Sequence, residues 1–207
     1  HRYMFEFGDA LRPGNLYDYF LQRQEKGVLA AREILIAILK SMGEIWPDGS
    51  WVDSIAIGDA AYHEAVKRSD ITDRIVPFHK LSQWMSYSLI EPLQLAGIKI
   101  IDLDALTGLA EYRNGGLFID TGTISLRDKT EMETLHDPKS PLIVEWRALT
   151  VTLLDQLAEQ IRQHTNTNSE SMPLVSILQG GTWSAGRRIA QRLRSDASPP
   201  LRLKIRF

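Results

Sequence analysis

The chain has 207 residues, of which 43% are apolar and 24% charged, and its formal net charge is -2. That balance is too apolar for intrinsic disorder and too neutral to make nucleic acid or an anionic membrane the default partner. Cysteine is absent, which removes disulfides, thiolate nucleophiles and cysteine-based zinc or iron–sulfur sites and leaves the chemistry to carboxylates, His, Lys and hydroxyls.

The length suits one full-sized core or two small ones. No apolar run approaches the roughly 20 residues that span a bilayer, and no basic N-terminal segment leads into an apolar signal core. A cytoplasmic location without a membrane partner is the expectation. The chain opens at His1, as a processed or trimmed piece of a longer protein would.

In chain order, Asn15 is placed to cap a helix after the Arg12-Pro13-Gly14 turn, with Leu16, Tyr19, Phe20 and Arg23 at helical spacing and Gly27 as its end. Leu29, Ile34, Leu35, Ile38, Leu39 and Met42 predict a second helix over 28–45. A turn at Trp46-Pro47-Asp48-Gly49 precedes a short strand from Trp51 to Ile57, closed by Gly58 and Asp59. After Pro77, Leu81, Trp84, Met85, Ser88 and Leu89 share a helical face that Pro92 kinks or ends, and Gly97 marks the stop.

Ile98 to Ile101 reads as a strand, with Asp102 or Asp104 capping a short helix after it. Asn114-Gly115-Gly116 reads as a turn before a strand at Leu117-Phe118-Ile119, which forms a hairpin with Thr123 to Leu126. The longest helix is predicted from Leu142 to His164, with Trp146, Leu149, Leu153 and Leu157 facing inward. Residues 165–171 are the candidate linker. A last helix from Leu174 to Arg194 is notched at Gly180-Gly181, and Leu201 to Phe207 alternates like an edge strand. The fold class is therefore mainly α, a helical domain with a minor β-hairpin, as a single domain or the C-terminal half of a longer chain.

The densest polar stretches are Val76 to Trp84 and Glu111 to Gly116. Lys80 and Gln83 stand three apart on one helical face. A cation at a helix start opposes the macrodipole, so Lys80 invites a reason beyond helix formation, against the plainer reading of a solvated lysine. Glu111 and Arg113 flank Tyr112 beside glycines that allow close backbone approach, or they form an ordinary surface ion pair. His63 and Asp59 have metal-ligand spacing, but two ligands fall short of a site. Gly180-Gly181-Thr182 with Arg187 and Arg188 offers a phosphate cradle or, alternatively, a close helix crossing. The run Arg187, Arg188, Arg192, Arg194, Arg202, Lys204 and Arg206 lacks interleaved aromatics and reads as a solvated face. Trp84, Trp146 and Trp183 lie in apolar stripes and are expected mostly in the core.

The segments RPGNLYDYFLQRQ, VPFHKLSQWMSYSLIEPL, AGIKIIDLDALTGLAEYRNGGLFID, LIVEWRALTV and LQGGTWSAGRRIA resemble the uracil catabolism protein 4 family, and the match runs from about Arg12 to Pro200. The family is longer, so this chain resembles its C-terminal half. A more distant resemblance is to the queuosine salvage N-glycosidases. Phe78-His79-Lys80 with Gln83 matches their first block, Glu111-Tyr112-Arg113 a second, and Glu145-Trp146-Arg147 a third. This resemblance implies a DNA-glycosylase-like helical architecture. Two departures stand out: Glu111 replaces an Asp, and the tail Leu203 to Phe207 replaces a polar segment.

Together these imply pyrimidine degradation, with N-glycosidase chemistry on a ribosyl-urea or related N-riboside or its phosphate. Such a reaction passes through an oxocarbenium-like state that a carboxylate stabilises, or for which it activates water, and Glu111 is the candidate. Lys80, His79 or Gln83 supplies a proton or hydrogen bond to the leaving nitrogen. Asp120 and Glu145 compete for the ribose hydroxyls, and Tyr112, Arg113, Asn114 and Arg147 complete the binding set. No metal or cofactor is expected in this reading. The alternatives are a metal-dependent amidohydrolase using Asp59, His63, His79 and Glu111, and a non-catalytic ligand-binding or scaffolding subunit.

Overall fold

The computed structural model describes residues 12–46 and 49–204. The expected turn at Pro47-Asp48, Arg206 and the last three positions of the expected terminal strand lie outside them. The chain folds mainly as helices with four two-stranded sheets among the described residues. No helix among these residues is long and apolar enough to cross a membrane. Two compact units divide the chain: residues 1–60 with 79–106, and residues 61–78 with 107–207.

The first unit holds α1 (Asn15–Arg23), β1 (Val28–Ala30), α2 (Ala31–Met42), β2 (Ser50–Val52), β3 (Ile55–Gly58), α3 (Lys80–Leu95) and β6 (Lys99–Ile101). α1 begins at Asn15 with Gly14 in the cap position, one residue earlier than expected, and the asparagine is buried. Ala31, Ile34, Ala37 and Ile38 form the fully buried stripe of α2. The helix predicted from residue 28 starts three residues late, because Val28 to Ala30 pair in parallel with Lys99 to Ile101. That pairing is non-local, and helical periodicity carries no trace of it. β2 and β3 form an antiparallel hairpin in which Asp53 takes a positive φ of 50° at the turn. Pro92 stays inside α3, in its last turn, where it withholds one helical hydrogen bond, that to the Ser88 carbonyl, without ending the helix.

β4 (Ala60–Tyr62) leads into the second unit and pairs with β5 (Ile75–Pro77). The second unit continues with α4 (Tyr112–Asp120), β7 (Leu135–His136), α5 (Pro141–Thr165), α6 (Leu174–Ile177), α7 (Trp183–Leu193) and β8 (Arg202–Leu203). α5 is its spine, burying Ile143, Val144, Trp146, Thr150, Leu154 and Ala158. Residues 165–171 form a hydrogen-bonded turn inside this unit: the Thr167 amide reaches the Arg162 carbonyl at 3.0 Å, and buried Arg162 donates through Nε to the Met172 carbonyl at 3.0 Å. β8 pairs in parallel with β7.

In place of the predicted turn and hairpin over 114–126, residues up to Asp120 belong to α4, and Thr123 to Leu126 form no strand. Its glycines answer to packing and not to a turn. A Cβ on Gly115 would stand 2.8 Å from the Trp146 ring and the Thr150 hydroxyl, and one on Gly116 would stand 3.1 Å from Pro200. The Trp146 indole N–H also donates to the Gly115 carbonyl at 3.0 Å, so α4 lies directly on α5. A Cβ on Gly186 of α7 would run into the Arg113 carbonyl. The expected last helix is continuous in space, with the notch at Gly180-Gly181 forming a π-helical turn (Leu178–Thr182) between α6 and α7.

These glycines separate two kinds of helical glycine. Gly186→Ala has no room beside a backbone carbonyl and is expected to lower stability by about 1–3 kcal/mol or more. Gly180→Ala meets open space at an ordinary helical φ and is expected to be neutral or to stabilise by up to about 1 kcal/mol through helix propensity. Thermal unfolding of both variants checks this; equal effects would contradict the helix crossing.

Candidate functional site

The second unit gathers parts of three blocks that are far apart in sequence. Ala61, Phe78, Ala110 and Val144 form one buried apolar cluster, with Val76, Ala148 and Val151 packed against it. Glu111 follows Ala110 directly, Glu145 follows Val144, and His79 follows Phe78. Around the cluster, His63 Nε2 lies 3.1 Å from Glu145 Oε1, and the Arg147 guanidinium stacks 3.9 Å over the Phe78 ring. The Ala65 amide donates to His63 Nδ1 at 3.2 Å. A nitrogen that accepts cannot also carry the proton, so His63 donates to Glu145 through Nε2–H.

Glu111 is the N-cap of α4. Its two carboxylate oxygens accept the Arg113 amide at 2.8 Å and the Asn114 amide at 2.5 Å. The carboxylate is thus fixed in orientation by two of the helix's otherwise orphaned donors.

Several other candidates are committed to the fold. The carboxylate of Asp120, 3% exposed, takes both Arg194 nitrogens at 2.8 and 2.5 Å. Asn114 is buried; it receives a hydrogen bond from the Thr182 hydroxyl at 2.8 Å and gives one to the Leu109 carbonyl at 3.2 Å. Arg113 donates to the Ala197 carbonyl at 2.8 Å and stacks 4.7 Å over the exposed Tyr112 ring. Arg194, read as part of a solvated basic face, is therefore a structural ion-pair partner. Of the three tryptophans expected mostly in the core, Trp146 is buried, while Trp84 and Trp183 are exposed.

The Gly180-Gly181 segment fits neither expectation for it. No atom lies within 4 Å of a Cβ built on either glycine, so no helix crosses there. Both sit inside a continuous helical run and not at a helix start.

In the first unit, His79, Lys80 and Gln83 occupy the start of α3, with Lys80 as its first residue, as expected. The Asp59 carboxylate accepts the Lys80 amide at 3.0 Å and brings negative charge to the positive end of the helix. Gln83 is buried, and Lys80 is half-buried with an ammonium that makes no ion pair among the described residues. His79 adopts a left-handed backbone at φ 49°, and its Nδ1 is buried without a hydrogen-bond partner. Burial depresses its pKa, outweighing the nearby Asp59 carboxylate, which acts the other way.

Among the described residues no three His, Asp or Glu side chains gather as a metal would require. His63 was read beside Asp59, but its hydrogen-bonded carboxylate is Glu145. No local signal marks a pair 82 positions apart.

The folded state binds the His79 proton less tightly than the unfolded chain does, so protonation favours unfolding. This contribution leaves stability intact above the ordinary histidine value of 6.5 and lowers it as the pH falls below that value. NMR titration of the histidine rings in the full-length protein, with His79→Gln for assignment, is expected to put the His79 midpoint below 6.5. A midpoint above 6.5 would contradict the buried, neutral imidazole.

Residues 2–205 match the family described as "Protein of unknown function (DUF1688)". The chain is 42% identical over 163 residues to Protein urg3 of Schizosaccharomyces pombe, covering 77% of this chain and 39% of that protein. It is 35% identical over 224 residues to Uracil catabolism protein 4 of Lachancea kluyveri, covering 95% of this chain and 50% of that protein. The chain thus spans half or less of the length of these curated relatives. With nearly its whole length matched, the chain belongs to the DUF1688 family, and the resemblance to uracil catabolism protein 4 seen in its sequence blocks holds.

Proposed function

We propose that this chain serves uracil degradation, the process for which its Lachancea kluyveri relative is named, by contributing the site of an N-glycosidase acting on a ribosyl-urea or related N-riboside or its phosphate. The observation that carries the reading is the cluster of Ala61, Phe78, Ala110 and Val144, in which Ala110 and Val144 directly precede Glu111 and Glu145. A pair of carboxylates on an apolar base suits a reaction that develops positive charge on a sugar ring.

In this reading water adds to the anomeric carbon as the bond to nitrogen breaks, and the leaving nitrogen takes a proton. Glu111, held by two helix amides, stabilises the oxocarbenium-like state or activates the water. Lys80 supplies a donor to the leaving nitrogen, with His79 and Gln83 as neighbouring polar groups. Glu145, oriented by His63, binds ribose hydroxyls. Tyr112 and Arg147 complete the binding face, while Arg113, Asn114 and Asp120 act by holding α4 in place. A DNA-glycosylase-like arrangement of helices belongs to the same proposal.

The non-catalytic alternative draws on one observation: the carboxylate of Glu111 already has a structural task as a cap. Glu111→Asp and Glu111→Gln separate the two. Aspartate keeps both the charge and a favoured cap, whereas glutamine loses the charge and one acceptor, at about 1 kcal/mol of stability. In the full-length protein, sugar release from ribosyl-urea and its 5′-phosphate is expected to fall on the order of a hundredfold or more for Glu111→Gln and far less for Glu111→Asp. Lys80→Met is expected to weaken both binding and turnover. No released sugar from the wild-type protein, or normal turnover in a folded Glu111→Gln variant, would remove this mechanism.

A further inference from the structure

A usual N-cap residue is extended and turns its own side chain back to the free amides of the first turn. His79 does neither. It stands in the left-handed region at φ 49° and ψ 35°, and its side chain caps nothing. A non-glycine residue holds that conformation only when its surroundings fix it. The surroundings here come from one residue, Asp59. Its carbonyl accepts the His79 amide at 2.9 Å, and its carboxylate accepts the Lys80 amide at 3.0 Å. The His79 carbonyl then accepts the Gln83 amide at 2.7 Å and opens α3.

The flanking residues hold Asp59 itself. Gly58, at φ 68°, passes under the imidazole, and a Cβ there would stand 3.6 Å from His79 Nδ1. The Ser50 hydroxyl donates to the Ala60 carbonyl at 2.5 Å, tying β2 to the residue after Asp59. Because Nδ1 is buried and unpartnered, any hydrogen bond from this ring to a ligand runs through Nε2.

We propose that Asp59 is the positioning residue for His79 and Lys80: by binding the Lys80 amide, its carboxylate keeps His79 in the left-handed turn and fixes where both side chains start. The inference rests on the reading of His79 and Lys80 as groups that meet substrate. It differs from simple charge proximity in a way that titration reveals. Asp59 is the charged group that acts on the His79 imidazole, raising its affinity for a proton against the larger effect of burial, and Lys80 is the adjoining cation.

If the carboxylate fixes the turn, Asp59→Asn keeps an acceptor for the Lys80 amide and leaves the ring seated. Loss of the charge then moves the His79 midpoint further down. Asp59→Ala removes the acceptor, the ring leaves its seat, and the midpoint rises toward 6.5, the ordinary histidine value. The two variants therefore shift in opposite directions. A downward shift in both would overturn the proposal, since it would leave Asp59 a bystander charge. Should Asp59→Ala fail to fold, Asp59→Ser, whose shorter hydroxyl falls short of the amide, is read in the same way. Sugar release is measured on the same full-length proteins, where Asp59→Ala is expected to lower kcat at least tenfold and Asp59→Asn only a few-fold. Titrations that shift as expected in a protein with no sugar release would sink the glycosidase reading and leave the positioning role standing. Opposed titration shifts with equal kcat in both variants would show that the turn is positioned but not for this reaction, and would overturn the substrate-facing part of the inference.

Discussion

At Gly186 the backbone of α7 lies against the Arg113 carbonyl, and only a hydrogen fits between them. α4 is also held by α5, where Gly115 leaves room for the Trp146 ring and its carbonyl accepts the indole N–H. A short helix gripped by two longer partners has little freedom to rotate. Its first turn is therefore fixed, and with it the two amides that hold the Glu111 carboxylate. The far end is tied by the paired contact of Asp120 to Arg194, which is costly to break because the Asp120 carboxylate, 3% exposed, would be left desolvated without its partner.

The capping role of Glu111 and the chemical role proposed for it are compatible. A carboxylate held by backbone amides keeps its charge in one place without spending side-chain freedom at the moment of reaction. The second carboxylate, Glu145, stands on α5 next to buried Val144 and is hydrogen-bonded to His63. Both grow from an apolar cluster to which the β4–β5 pair contributes Ala61 and Phe78. In the first unit the comparable feature is the start of α3, where Asp59 supplies the cap that His79 does not.

The helices with strong periodicity were legible from sequence. The extent of α5 and the start of α3 at Lys80 follow from spacing and from Pro77 and Pro141, but of the face expected to be buried on α5 only Trp146 is: Leu149 is exposed, and Ile143, Val144, Thr150, Leu154 and Ala158 lie inside instead. What escaped was set by contacts between distant positions. Gly115 and Gly116 read as a turn because glycine is the usual turn residue, yet Trp146 and Pro200 explain them. Val28 to Ala30 became a strand through Lys99 to Ile101. The candidate residues were legible as a polar, sequence-clustered set, but their sorting was not. Asp120 and Asn114 looked like ligand groups until their partners Arg194 and Thr182 were in view, and His63 gained a candidate role only through Glu145.

The first turn of α4 is held rigidly enough to keep the Glu111 carboxylate in place. Native-state hydrogen exchange at the Arg113 and Asn114 amides tests this most directly, because those are the two donors to Glu111. Both are expected to exchange only through global unfolding, with the same denaturant dependence as core amides of α5 such as Leu154. Fast, denaturant-independent exchange at these two amides, with α5 still protected, would show a frayed helix start and contradict the claim.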